Sequence, residues 1–303
     1  MSHQPTEAQK AWPAYLALLA KGICMGVAEL VPGVSGGTIA FLTGIYFRLV
    51  SALSRFGPAS IPLIRKPKTF WHVHDMTFLL TLGVGMLIGI LVFAQLVSYL
   101  LAHTAPVLWG FFFGLITASS WFMASQRQLK SLLSFGILGI GLGLSFLQLP
   151  QQDFSGSWLM LFFAGALAVS AWMLPGISGS LLLLLLGLYE PLIIAVKTLD
   201  VLFLSVLIAG CLSGLLLFAR SLRWLMQHYQ DPVLALLIGF MLAALAKLWP
   251  WQNAALNYGL MDRLLWPAEY AELMTVPAFL PQTLVAAVAG FLAVWTLTRL
   301  ADK

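Results

Sequence analysis

The chain has 303 residues, 60% hydrophobic and 9% charged, with a formal net charge of +5 and a mean hydropathy of +0.93. A soluble globular domain carries roughly 25% charged residues, so this chain has too few charges to cover a water-facing surface. Soluble enzymes, disordered tails and nucleic-acid binders are excluded, and the excess of Lys and Arg reads as loop charge of a polytopic membrane protein.

In chain order, residues 1–10 are polar, and the apolar run behind them has no small-x-small cleavage site. The first helix is therefore expected to stay. An apolar segment at 11–31 stops at Pro32-Gly33-Val34-Ser35-Gly36 and a second begins at 38–53. Three plain apolar spans follow at 77–101, 106–125 and 132–149. Their length suits a hydrocarbon core of about 30 Å. The pattern then starts again: segments at 158–174 and 181–196 flank Pro175-Gly176-Ile177-Ser178-Gly179, and spans follow at 201–219, 233–249 and 283–300. The apolar stretches are continuous rather than alternating, which excludes a β-barrel. Cys24 and Cys211 both sit inside apolar segments and imply neither a disulfide framework nor a thiolate metal site.

The restart is an internal repeat. The motif at 32–36 recurs at 175–179, an offset of 143, and the match runs on without a gap through Leu42/Leu185, Gly44/Gly187, Tyr46/Tyr189, Leu49/Leu192 and Ala52/Ala195. Matched leucines could come from composition alone, but the doubled motif could not. Two units are expected, residues 1–150 and 151–303, with hairpin loops at 32–37 and 175–180. Charge decides whether each broken segment crosses once or returns to its own side. With returning hairpins and a cytoplasmic N-terminus, Lys10, Arg55, Arg65, Lys66, Lys68, Arg127, Lys130, Arg220, Arg223, Arg299 and Lys303 face inward. Only Lys197, Lys247 and Arg263 then face outward, as the positive-inside rule requires. A hairpin plus three spans is an odd number of crossings, so the second unit lies upside down relative to the first, and both termini are cytoplasmic. Re-entrant and fully spanning hairpins share this parity. The re-entrant form is favoured, because irregular backbone at membrane depth must be buried in protein or line a cavity. The expected fold is thus all-α and polytopic: two inverted-topology repeats, each a broken helical hairpin plus three transmembrane helices.

Proline ends each incoming helix, and the glycines let backbone approach a ligand closely. Each returning half-helix points its free N–H groups and positive dipole end at the loop. Gly33, Ser35, Gly36, Gly37 and Thr38 of one loop, with Gly176, Ser178, Gly179 and Ser180 of the other, are the candidate anion-binding residues. The bland alternative is a glycine-lined hairpin that only packs helix on helix. Glu29, one turn before the first loop, is the candidate for proton or sodium coupling, against a neutral packing role. Its repeat counterpart is Trp172. Lys21 and Arg48 reach the inner mouth of the first hairpin, where they either attract an anionic head group or snorkel. Glu190 occupies the matching level of the second hairpin, as a gate or an interfacial cap. The run Trp71-His72-Val73-His74-Asp75 has a metal-like look but reads as interfacial, and no metal site or cofactor is expected. The stretch at 250–282, with Asp262, Glu269 and Glu272, is a candidate amphipathic lid.

The paired sequences from Met25 to Tyr46 and from Leu174 to Pro191 resemble a bacterial family, formerly a membrane domain of unknown function, now assigned as polyprenyl-phosphate transporters that recycle undecaprenyl phosphate. The family motif often has Asp where this chain has Glu29. The resemblance implies an inner-membrane protein that returns undecaprenyl phosphate from the outer to the cytoplasmic leaflet for cell-envelope polymer synthesis, peptidoglycan included. Its partners would be the polyprenyl phosphate lipid and the bilayer, with a homo-oligomer left open. Alternating access would hold the phosphate between the two loops while the tail stays in lipid. A transporter of small anions, or a cation-coupled solute carrier, is the alternative, since helix termini bind soluble anions equally well. An intramembrane enzyme is disfavoured: with no His near either loop, Ser35 and Ser178 lack a general base.

Overall fold

The computed structural model describes residues 7–31, 34–148, 156–253 and 264–301. Among them, every regular element is helical apart from an isolated bridge between Gln252 and Leu264. The chain opens with α1 (Glu7–Glu29), α2 (Gly36–Leu42) and α3 (Tyr46–Ser54). Then come α4 (Pro67–Val73), α5 (Met76–His103), α6 (Ala105–Ser125) and α7 (Leu129–Leu147), the last with a π turn at Leu132–Gly136. The remainder runs α8 (Trp158–Met173), α9 (Gly179–Leu185), α10 (Tyr189–Thr198), α11 (Val201–His228), α12 (Gln230–Lys247), α13 (Pro267–Met274) and α14 (Leu280–Ala301).

Among the described residues, five helices, α5, α6, α7, α11 and α12, are long and apolar enough to cross a membrane. The pairs α2–α3 and α9–α10 pass the same test together but bend by 120° and 104°. Both bends fall just after Thr43 or Leu186, where Gly44 and Gly187 adopt φ of 73° and 67°. That left-handed region is open to glycine and strained for other residues, so the repeated glycine explains the repeated bend.

Helix packing follows four close pairs: α1 with α5, α8 with α11, α6 with α14, and α7 with α12. Each contact is made at glycines. A Cβ on Gly22 would stand 2.5 Å from the Leu82 carbonyl oxygen of α5, and one on Gly165 would stand 2.5 Å from the Leu207 carbonyl oxygen of α11. Lipid gives apolar helices no reason to associate, so small residues and close backbone contact carry the packing. Large apolar side chains point outward instead: Leu91 of α5 is 69% exposed.

The ends of these helices are tied by charge. Arg48 Nε and Nη2 donate to Asp75, Arg55 Nη1 to the Val73 carbonyl, and Arg127 Nη1 to Asp231. Arg220 and Arg223 of α11 donate to the Phe56 carbonyl and to Ser54 Oγ just after and within α3. One end of the bundle therefore collects the end of α3, the start of α5, the end of α11 and the start of α12.

The two bent pairs are embedded differently. Ile39, Ala40, Phe41, Tyr46, Leu49 and Val50 of the first belong to the main core, with Ala219, Leu222 and Met226 of α11. The second pair contributes Leu188 and Ala195 to a smaller cluster with Leu161, Phe203 and Leu207. Equivalent residues differ sharply: Tyr46 is 1% exposed and Tyr189 is 43% exposed.

Candidate functional site

The two breaks meet each other. Ser35 caps α2: its Oγ accepts from Gly37 N–H at 3.1 Å and donates to the Trp172 carbonyl at 3.0 Å. Gly176 N–H donates to Thr38 Oγ1 at 3.0 Å, and the Tyr46 hydroxyl donates to the Met173 carbonyl at 2.8 Å. Trp172 Nε1 donates to Glu29 Oε1 at 2.6 Å, joining two residues that stand at equivalent positions of the sequence repeat. Ser35, Thr38 and Ser178 are all at most 2% exposed. Their buried polar atoms need partners, and the opposite loop supplies several of them.

Glu29 has a second partner. Its Oε1 also accepts from Gly36 N–H at 2.6 Å. Gly36 opens α2, so the carboxylate lies at the helix N-terminus, where free N–H groups and the dipole favour an anion. The first loop thus holds a carboxylate of its own chain in the place an external anion would take. A Cβ on Gly36 would come within 2.7 Å of that same Oε1, so a side chain here would push the Glu29 carboxylate off the start of α2.

The second loop differs in kind. Ser178 stands at the cap position of α9, but its hydroxyl makes no capping bond. Ser178 Oγ instead lies 2.8 Å from Ser180 Oγ. Trp172 replaces the acid, so this loop has hydroxyls and an N-terminus without an adjoining carboxylate. Gly176, at φ 87°, packs against the backbone of Phe240 and Met241 in α12.

Gly33 lies outside the described residues. The structure brings together Ser35, Gly36, Gly37, Thr38, Gly176, Ser178, Gly179, Ser180 and Glu29. It does not bring Lys21 or Arg48 to them. Lys21 Nζ donates to the Thr43 carbonyl at 2.7 Å, at the bend after α2. Arg48 forks onto Asp75, with Nε 2.6 Å from Oδ2, and its guanidinium lies over the Phe78 ring. Glu190 is exposed in the first turn of α10. In the 71–75 run, His74 is buried, bonded to Ser60 Oγ at 2.7 Å and stacked on Phe70. The candidate lid is described only in part, because 254–263 lie outside the described residues. Its helix α13 brings Tyr270 and Met274 to the wall of a cavity of about 450 Å³, which His103, Trp109 and Gln252 also line.

Sequence reasoning missed Trp172 and Tyr46 as site residues. The signal for Trp172 was present: it is the repeat counterpart of Glu29, and residues equivalent by an internal two-fold meet if they lie close to its axis.

A family model described as undecaprenyl phosphate translocase-like matches residues 25–260. A protein of Vibrio cholerae named polyprenyl-phosphate transporter is 38% identical over 303 aligned residues, covering 95% of this chain and 98% of its own. A Staphylococcus aureus protein of the same name is 32% identical over 251 aligned residues, covering 76% of this chain and 84% of its own. No solved structure matches the chain.

Proposed function

This chain belongs to the undecaprenyl phosphate translocase-like family, whose relatives are named polyprenyl-phosphate transporters, and from that premise we propose that it carries polyprenyl phosphate across the bacterial inner membrane, returning undecaprenyl phosphate from the outer to the cytoplasmic leaflet for peptidoglycan and other envelope polymers. The observation that carries the mechanism is the contact between the two Pro-Gly-x-Ser-Gly breaks. Residues 1–150 and 151–303 act as two inverted repeats whose re-entrant hairpins touch near the midplane. The Glu29–Trp172 bond between equivalent positions supports a two-fold relation passing between them.

The phosphate is held at the second loop, by Ser178, Ser180 and the start of α9, where no carboxylate competes. The first loop joins it when Glu29 leaves Gly36 N–H, which makes Glu29 the coupling residue: neutralised by a proton or a sodium ion, it gives up its seat to the phosphate. The arm α10 is more exposed than the arm α3, an asymmetry that an alternating-access cycle would interchange. Rocking of the repeats exchanges the two arms, and the tail stays in lipid throughout.

The test is reconstitution. Purified protein in proteoliposomes should move labelled undecaprenyl phosphate between leaflets, and Ser178→Ala with Ser180→Ala should slow that movement roughly tenfold or more, the worth of one or two charge-assisted hydrogen bonds. Equal movement in protein-free vesicles, or none with wild type, would end the reading.

A further inference from the structure

Helix α11 presents Arg220, Arg223, Trp224 and Gln227 on successive turns, spacings that bring side chains to one face. That face meets the end of α3. Arg220 Nη2 donates to the Phe56 carbonyl at 2.7 Å, and its guanidinium lies where a Cβ on Gly57 would be. Arg223 Nη1 donates to Ser54 Oγ at 3.2 Å. Beside them is an open, shallow cavity of about 240 Å³ lined by Ser54, Arg220, Arg223, Trp224 and Gln227. No acidic residue lines it. The ion pairs among the described residues are Arg48–Asp75 and Arg127–Asp231, so both guanidiniums here are matched only to uncharged acceptors.

A guanidinium has five N–H donors in a planar fork, and phosphate is the anion whose oxygens that fork fits. Two guanidiniums and a glutamine amide, with no carboxylate, make a donor set for a doubly charged phosphate ester; the Ser54 hydroxyl is spent, donating to the Ser51 carbonyl and accepting from Arg223. Arg55, Arg65, Lys66 and Lys68 on the adjoining segment add positive potential that steers an anion toward it. The indole of Trp224 is 51% exposed beside the cavity, near the end of a 28-residue spanning helix. Tryptophan at that level marks the lipid–water boundary, so the anion arrives on a lipid.

We propose that this cavity is a second anion site, separate from the paired loops, that binds the phosphate monoester of a membrane-anchored lipid at the bundle end where α3 and α11 meet. Choosing a prenyl phosphate as its ligand rests on the transport reading above; the donor set itself does not. In transport the site takes the head group as it leaves the loops on that side, or holds it before entry.

Native mass spectrometry of the full-length protein in detergent tests this, with farnesyl phosphate, farnesol and inorganic phosphate as probes. Wild type should bind two farnesyl phosphates and no farnesol, with inorganic phosphate at least tenfold weaker. Arg220→Gln with Arg223→Gln should bind one. Gln227→Glu, which keeps both arginines and their contacts while adding a carboxylate to the wall, should also bind one. Two bound molecules in both variants would overturn the site, as would any stoichiometry that wild type and both variants share. Inorganic phosphate binding as tightly as the ester would overturn its assignment to lipid. A protein that fails to move undecaprenyl phosphate in proteoliposomes but still loses one farnesyl phosphate in the variants would sink the transport reading and leave this site standing.

Discussion

At the first break, Gly36 N–H and the Trp172 indole both point at Glu29; at the second, the equivalent of Glu29 is the indole itself, and the Ser178 and Ser180 hydroxyls bond to each other. Identical Pro-Gly-x-Ser-Gly sequences therefore sit in different hydrogen-bond surroundings: the first loop's Gly36 and Gly37 N–H groups go to Glu29 and Ser35 beside them, and the second loop's Gly176 N–H goes to Thr38 across the contact. The arms behind them repeat the contrast. Tyr46 is buried and bonded to Met173 of the other half, and Tyr189 is exposed. A symmetric sequence motif does not make a symmetric site, because hydrogen bonds are shared between neighbours and the neighbours differ.

The sharpest way to break the comparison is to remove the intrinsic anion. Glu29→Ala leaves two part-buried donors unmatched, at about 1–3 kcal/mol each, and should lower the thermal midpoint more than any other single change in the loops. Glu29→Gln retains an acceptor oxygen and should recover most of that loss. Equal midpoints for the two variants would show that Glu29 is not the partner of these donors.

Swapping the question to the serines should give opposite results in two assays. Ser35→Ala removes a helix cap and a bond to Trp172, costing about 1 kcal/mol of stability. Ser178→Ala removes no cap and should be nearly neutral in melting while weakening binding of farnesyl phosphate. A larger stability loss at Ser178 than at Ser35 would reverse the assignment of the two loops.

The tyrosines sharpen the same contrast at smaller scale. Tyr46→Phe leaves the Met173 carbonyl without its donor and should cost about 1 kcal/mol, whereas Tyr189→Phe should fall within about 0.5 kcal/mol of wild type in the same denaturation series. A small effect is also expected at the rim: Asp75→Asn breaks an ion pair whose side chains are 56% and 27% exposed, worth about 0–1 kcal/mol and less at high salt.

The site was legible to the extent that its chemistry was local. Both breaks, the serine at each cap and the glycine at each bend follow from residues within one turn, and Gly44 and Gly187 take the left-handed backbone that their sequence allows. Lys21 and Arg48 were readable as cations near the first hairpin but not as partners of Thr43 and Asp75, because those partners lie 22 and 27 residues away along the chain. The cavity at Arg220 and Arg223 had no signal in sequence beyond two basic residues on one helix face, since Ser54 and Phe56 meet them across more than 160 residues.

By itself the sequence determined that this protein lives in a membrane, that one motif occurs twice, and where each helix must break, because hydropathy, repetition and the backbone freedom of Pro and Gly are properties of neighbouring residues. Only the tertiary structure decided that Glu29 sits at the start of α2, that Trp172 faces it, and that Tyr46 is buried while its equivalent Tyr189 is exposed. Those outcomes depend on which donor meets which acceptor at 3 Å, and in a core where polar atoms must be paired that is set by the packing of distant helices.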